Sequence, residues 1–215
     1  MVPPVSRTAV RRLPEKQVHD RAALDAVLDA GLVAHVAVRD DDGQPYVVPV
    51  GYARDGDSVL FHGSTASRLF RSLAAGAPTC LTVTLLDGLV LARSVFESSM
   101  HYRSAMVLGV ATTLEGDDQL RGLERVSEHL MPGRWADARQ PNRKELAATL
   151  VLSLPLVEWS VKVSDGPPED ATDDLALPVW AGVLPLHQEY GEATPAPDLR
   201  GGLDVPDYVH GWSRR

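Results

Sequence analysis

Two clusters of hydrogen-bond donors are the residues of this chain with the clearest capacity for chemistry. The first cluster follows the strand-like run SVLFHG and contains His62, Gly63, Ser64, Ser67 and Arg68. The run ASRLFRSLAA predicts a short helix there, capped by Ser64 or Thr65 and ended by Gly76. The first N–H groups of a helix are unpaired and partly positive, so adjacent hydroxyls and a guanidinium favour a phosphate. An ordinary helix cap followed by a solvated arginine is the alternative.

The second cluster lies between two apolar runs, within residues 82–109. It consists of Arg93, Ser94, Ser98, Ser99, His101, Tyr102, Arg103 and Ser104. A connection with only a structural role would favour Gly, Pro, Asn and Asp, for backbone reasons. The donors therefore predict contact with an anion or a polar ring. A polar barrel rim with surface ion pairs, given the nearby Glu97, is the alternative.

Composition and motifs exclude several other kinds of site. The formal charge of -8 argues against a nucleic-acid or acidic-membrane surface. Cys80 is the only cysteine and the seven histidines are scattered, so neither a disulfide framework nor a metal site is expected. The sequence contains no GxGxxG, Walker loop or GxSxG elbow. No signal-peptide core or membrane-length apolar run is apparent, which predicts a soluble cytoplasmic protein.

The hydrophobic pattern predicts a mainly β fold: a six-stranded antiparallel barrel with flanking helices. Residues 1–19 are interpreted as an N-terminal arm and residues 20–163 as the barrel domain. Asp20 is expected to cap a first helix, and Asn142 with Glu145 has the spacing of a capping box. Asp87-Gly88 predicts a tight reversal between two strands. The run 149–163 is expected to close the core as a single strand.

Residues 164–215 form a Pro- and Gly-rich extension with an unusual apolar segment, LPVWAGVLPL. A disordered tail has little reason to carry Trp180 among so many aliphatic residues. The extension is therefore expected to pack on the barrel or on a partner subunit.

These segments together resemble the flavin nucleotide-binding branch of the pyridoxamine 5'-phosphate oxidase-like superfamily. The resemblance is carried by PYVVPVGYA, LFHGSTASR, LLDGLVLARSVFESSMHYRS, PGRW and PVWAGVLPL. It covers nearly the whole chain and implies an FMN-binding split barrel that forms a homodimer. It also implies a flavin-dependent oxidoreductase that acts on a small planar substrate.

The resemblance assigns roles to particular residues. His62, Gly63, Ser67 and Arg68, together with Ser64, would hold the phosphate of FMN. The backbone of Val47, Val48, Pro49 and Val50 would run along the flavin ring. The ring environment would also include Arg93, Ser94, Tyr102, Arg103 and Ser104, and Trp180 would be donated across the dimer.

Two features depart from the family pattern. His101 stands where relatives usually have Asn, in SMHYRS rather than SMNYRS. The C-terminal tail does not reproduce the substrate-phosphate signature of the vitamin B6 oxidase, which argues against oxidation of pyridoxamine phosphate.

His62 and His101 are candidate proton donors because an imidazole titrates near neutral pH. A deazaflavin-dependent reductase, a nitroreductase-like enzyme, a haem-binding relative and a non-catalytic flavin carrier remain as alternatives.

Overall fold

The computed structural model describes residues 7–40 and 42–212. Residues 1–6 of the predicted arm therefore lie outside the described residues. The strands are β1 Gln17–Val18, β2 Val33–Arg39, β3 Pro45–Asp55, β4 Ser58–Ser64, β5 Pro78–Leu91, β6 Ser99–Val110, β7 Thr112–Leu114, β8 Thr149–Pro155, β9 Glu158–Ser164 and β10 Gly182–Pro185. The helices are α1 Arg21–Ala30, α2 Arg68–Ala74, α3 Gly116–Leu130, α4 Arg134–Asp137, α5 Arg143–Ala147 and α6 Asp207–His210.

The strands form one antiparallel sheet that bends back on itself. Its order is β1-β9-β6-β5-β2-β3-β4-β8-β7, with β10 added to β5. The first part of β3 pairs with β2 and its last part with β4, so one long strand turns the corner between two halves of the sheet. A single residue, Ala111, joins β6 to β7 and carries the chain into the other half. The predicted mainly β, antiparallel fold class is confirmed, although the described sheet has ten strands rather than six.

Alternation along the strands places one face of the sheet in the core. In β2, for example, Ala34, Val36 and Val38 are buried while their neighbours are not. Helix α1 covers one end of this core with Leu24, Val27 and Leu28. These assignments follow the two-residue and 3.6-residue periods that the sequence displays.

Two of the three predicted helix caps are confirmed. The Asp20 side chain accepts a hydrogen bond from the backbone N–H of Ala22 at 3.0 Å. At the start of α5, Asn142 accepts from the N–H of Glu145, and Glu145 accepts from the N–H of Asn142, a complete capping box.

The predicted start of α2 is wrong by two to three residues. The helix begins at Arg68 with Ser67 at its N-cap position. Ser64 is still paired with Thr149 across β4 and β8, and its hydroxyl accepts from the N–H of Ala66 at 3.1 Å. Sheet pairing thus holds Ser64 in the strand, and its side chain closes a turn before the helix.

The predicted reversal at Asp87-Gly88 is also wrong. The residues lie inside β5, where the register against β6 shifts between Leu86 and Gly88 and produces a β-bulge. Tertiary pairing overrides the local turn preference because β6 continues along β5 on both sides of the bulge.

The run 149–163 is two strands rather than one. It breaks at residues 156–157, after which the chain leaves β4 and β7 and pairs with β6 and β1. Its two halves therefore serve the two halves of the sheet. The periodicity of the sequence does not distinguish such a break from a continuous strand.

The extension from residue 164 packs on the barrel of its own chain. Strand β10 pairs antiparallel with β5, from Gly182 opposite Leu91 to Pro185 opposite Gly88. A side chain at Gly88 would come within 2.9 Å of the Leu184 carbonyl oxygen, so a glycine is required for this approach. Within the described residues, none of the helices combines the length and apolar character needed to span a bilayer.

Candidate functional site

Two residues of the first donor cluster, Ser67 and Arg68, line a small cleft at the start of α2. The cleft has a volume of about 190 Å³ and is lined by Val38, Tyr46, Val48, Ser67, Arg68 and Leu69. The Arg68 guanidinium lies over the Tyr46 ring, 3.8 Å from its centroid, which is a cation–π contact. The ring is fixed in turn by a hydrogen bond from the Tyr46 hydroxyl to Asp40 at 2.5 Å. This bond lowers the pKa of Asp40 and raises that of Tyr46. The cleft thus combines apolar walls with an exposed, oriented cation.

His62 and Gly63 lie on opposite faces of β4. Gly63 lies on the face that packs against α2, and a side chain there would come within 2.2 Å of the Phe70 ring. This close packing, rather than approach to a ligand, accounts for the glycine. His62 shares the opposite face with Leu60 and is paired across the sheet with Val151. Leu60 and Val151 both face Gly122 of α3, so His62 lies on the α3 side of the strand.

The imidazole of His62 has a nitrogen without a hydrogen-bond partner in the described part of the chain. Its Nδ1 is buried and has no hydrogen-bond partner among residues 7–40 and 42–212. Burial lowers the pKa of His62 below its ordinary value, because an apolar environment disfavours the imidazolium. His62 therefore favours its neutral form, and its Nδ1 lies buried without a partner in the described part of the chain.

The predicted ring-facing segment of β3 divides between two faces. Val48 lines the Arg68 cleft. Val47 and Pro49 are opposite Ala37 and His35 of β2 and belong to the outer face of the sheet, where the Val47 side chain is 61% exposed. Val50 is partly buried against the core. Only Val48 of this segment joins the residues of the first cluster in lining the cleft.

The beginning of the second donor cluster has structural partners. Arg93 binds Asp170 of the extension through its backbone N–H and its guanidinium. The Ser94 hydroxyl accepts from the N–H of Glu97, and the Ser98 hydroxyl donates to the Ser94 carbonyl. These bonds fix the β5–β6 connection and attach the extension to it.

Arg103 lies on the wall of a second, larger cavity. The volume of this cavity is about 390 Å³, and its lining includes Arg103, Asp87 and Thr84 together with His35 and His187. Arg103 donates to both oxygens of Asp87, at 2.9 and 2.7 Å. This ion pair raises the pKa of Arg103. Arg103 is opposite Leu85 in the register, and Asp87 lies at the bulge two residues further along β5.

The remaining candidates lie outside both the cleft and the cavity. Ser104 is opposite Thr84, and its hydroxyl is 3.5 Å from the Lys162 carbonyl oxygen. Tyr102 is opposite Leu86, and His101 is opposite Gly88 just beyond the bulge. The Trp180 side chain is 68% exposed, and its ring lies against Gly182, where an added side chain would clash at 2.7 Å.

Sequence reasoning missed His35, Asp87 and His187 as possible site residues. His35 lies on the polar side of an alternating strand, a position that does not by itself indicate a site. Asp87 was assigned to a turn, and His187 follows an apolar segment with no recognisable motif. Their common location depends on the β5 bulge and on the path of the extension, neither of which has a local sequence signal. Among the described residues, no group of three or more His, Cys, Asp or Glu side chains could hold a metal ion.

Comparison with known proteins identifies the family of this chain. A family model described as pyridoxamine 5'-phosphate oxidase matches residues 20–163. The chain belongs to that family. Its fold is accordingly the flavin-binding split barrel that the sequence resemblance predicted. No curated protein matches the chain significantly.

Two solved structures are similar to the chain over nearly its full length. The FAD and heme binding protein from Mycobacterium smegmatis has 45% identity and a TM-score of 0.87; the alignment covers 91% of this chain and 96% of that one. The flavocytochrome Anf3 from Azotobacter vinelandii has 38% identity and a TM-score of 0.90, with 96% of each chain covered. Both alignments therefore extend into the C-terminal extension, which the family model does not match.

Proposed function

We propose that this chain is a flavin-dependent redox protein that binds haem as a second group and works as a homodimer. The observation that carries the proposal is the unpartnered, buried Nδ1 of His62 in a chain that also has the Arg68 cleft. The first feature fits a metal-bearing macrocycle and the second fits a flavin phosphate. The relative from M. smegmatis is named for FAD and haem together, which supports the same pair of groups.

The residues of the Arg68 cleft fit the phosphate end of a flavin. The Arg68 guanidinium is exposed and held by Tyr46, and Ser67 makes no capping hydrogen bond with its side chain. Both donors are therefore free to bind phosphate oxygens, for which a guanidinium is well suited. The family resemblance implied FMN, whereas the M. smegmatis relative is named for FAD. FAD is the proposed flavin and FMN the second candidate.

His62 is the residue that would hold the iron of a haem group. A ligating imidazole must be neutral, and burial keeps His62 neutral. The ring shares its face of the sheet with Leu60 and Val151, so its surroundings are apolar. When bound, the flavin supplies hydride and single-electron chemistry and the haem supplies single-electron chemistry. Arg68 and Ser67 would hold the flavin phosphate, and His62 would hold the haem iron.

The outer face of the sheet fits a second copy of the chain. Val47, with 61% of its side chain exposed, and Pro49 are both exposed on it. Apolar sheet faces of this kind usually mark association surfaces. The homodimer implied by the family resemblance would cover them.

The absorption spectrum of the purified protein tests this function. A flavin band in the blue together with a Soret band is expected, and chromatography of the flavin released by heat should show FAD. His62→Ala should abolish the Soret band while the flavin band remains, and His101→Ala, the matched control, should retain both. Protein that binds neither added flavin nor added haemin would contradict the proposal. A normal Soret band in His62→Ala would remove His62 as the ligand.

A further inference from the structure

The 390 Å³ cavity occupies a gap in the sheet. On one side of β5, strand β2 pairs only with residues Cys80 to Thr82, and β10 pairs only with Gly88 to Leu91. Between them, no described strand pairs with this edge of β5. Thr84, Leu85 and Leu86 line the cavity within this gap. An unpaired strand edge offers backbone donors and acceptors to any molecule that enters.

Three side chains bring hydrogen-bond donors to the cavity. Arg103 uses Nε and Nη2 on Asp87, and its Nη1 has no partner in the described part of the chain. His35 and His187 are both exposed and make no hydrogen bond to the described residues. Asp87 is the single carboxylate of the lining, and Arg103 already neutralises it. The donors that remain, Arg103 Nη1 and the two imidazoles, favour a ligand with strong hydrogen-bond acceptors, such as a carboxylate.

Apolar surface completes the cavity. Val33, Leu86 and Leu186 are all partly exposed and line it. The extension forms one wall, since Leu186 donates its N–H to the Asp87 carbonyl at 3.0 Å and thereby fixes the position of His187. The volume lies in the range of small-molecule pockets, roughly 300–1,000 Å³. Such a space accommodates a ring with one or two substituents.

We infer that this cavity is a binding site for a small aromatic carboxylate, separate from the Arg68 cleft. The carboxylate binds Arg103 Nη1 and the imidazoles of His35 and His187, while the ring lies against Leu86 and Leu186. The cavity and the cleft share no lining residue. This assignment rests on the proposed function: the planar substrate or effector of the redox protein would be a small aromatic carboxylate.

Calorimetric titration of the protein as purified with benzoate tests the site, with neutral benzamide as the matched probe. Saturable benzoate binding is expected, with benzamide weaker by about tenfold or more because it lacks the charge that Arg103 recognises. Arg103→Gln and His187→Ala should each weaken benzoate binding by about tenfold. His210→Ala, an exposed histidine of the same extension that does not line the cavity, should leave it unchanged.

Three results would overturn the assignment: equal affinity for benzoate and benzamide, unchanged binding in His187→Ala, or binding of benzoate only after flavin is removed. His187→Ala changes an exposed side chain, so it tests the site even if Arg103→Gln does not fold. Because the titration follows heat rather than a flavin spectrum, a protein without flavin would contradict the proposed function and still permit this measurement.

Discussion

Asp170 accepts two hydrogen bonds from Arg93, one from its backbone N–H at 2.5 Å and one from its guanidinium at 2.7 Å. The Asp170 side chain is only 1% exposed, so the pair fastens the extension to the end of β5 away from water. Hydrogen bonds to a charged group contribute about 1.5–3 kcal/mol each. This relationship explains why an acidic residue in a Pro-rich segment can control the path of the segment.

Asp170→Ala should therefore loosen the extension. Loss of the bonds should make local opening of β10 about 10- to 100-fold more frequent. Hydrogen exchange of the amides of 182–185 measures this opening, and Asp165→Ala, a change at an exposed neighbour, is the control. Unchanged exchange in Asp170→Ala would show that β10 is held by strand pairing alone.

Arg68→Ala should weaken flavin binding. The variant loses a charged hydrogen bond to phosphate, which corresponds to about 1.5–3 kcal/mol. Titration of cofactor-free protein with FAD, followed by quenching of flavin fluorescence, gives the affinity. Arg71→Ala removes an exposed arginine from the same helix and should bind FAD as the unmodified chain does. Equal affinity in both variants would exclude Arg68 from the site.

Gly63→Ala should destabilise the fold. The added methyl group would lie 2.2 Å from the ring of Phe70, a core residue of α2 that packs against β4. Overpacking of this kind costs about 1–3 kcal/mol. Urea denaturation should show the loss, whereas Gly191→Ala, at a position with no neighbouring atom within 4 Å, should not. A stable Gly63→Ala protein would mean that Phe70 can move aside at little cost.

The stability of the cofactor-free protein should depend on pH through His62. Burial lowers the pKa of His62 in the folded state below the ordinary value of 6.5. The unfolded chain therefore binds more protons than the folded chain as the pH falls through that value. The free energy of unfolding therefore decreases toward acid pH. His62→Gln removes this contribution, and its unfolding free energy should fall less between about pH 7.5 and about pH 5. Parallel pH profiles for the two proteins would contradict the burial argument.

Val47→Glu should disrupt the proposed homodimer. The substitution places a charge on the exposed outer face of the sheet, where the second copy would bury it at a cost of several kcal/mol. Size-exclusion chromatography with light scattering should show a dimer for the unmodified chain and a monomer for the variant. Val157→Glu, at an exposed position in the β8–β9 connection, should remain dimeric. A dimeric Val47→Glu protein would place the interface on another face.

Features with a local cause were predictable from the sequence. The Asp20 cap and the Asn142–Glu145 capping box depend on residues within one helical turn. The alternation of Ala34, Val36 and Val38 similarly identified the core face of β2. In each case a short-range preference agrees with the tertiary structure, so pattern and fold give the same answer.

Features decided by distant partners were not predictable. Asp87-Gly88 has the composition of a turn, yet β6 and β10 hold it within a strand. His62 and Gly63 are adjacent in sequence and appeared to belong to one phosphate site, but strand alternation directs them to opposite faces. Arg93 appeared available to a ligand because nothing nearby in the sequence indicates Asp170 as its partner. The cavity that unites Arg103 with His187 required the path of the extension.

The pairing of β10 with β5 also protects the protein from aggregation through an open strand edge. Without the extension, Gly88 to Leu91 would be an open edge strand carrying the exposed side chains of Leu89 and Leu91. Such an edge is a template for strand addition by another chain and hence for aggregation. The Pro-rich segment thus acts as a built-in edge cover, and Pro185 at the end of β10 limits further strand growth because proline lacks an N–H donor.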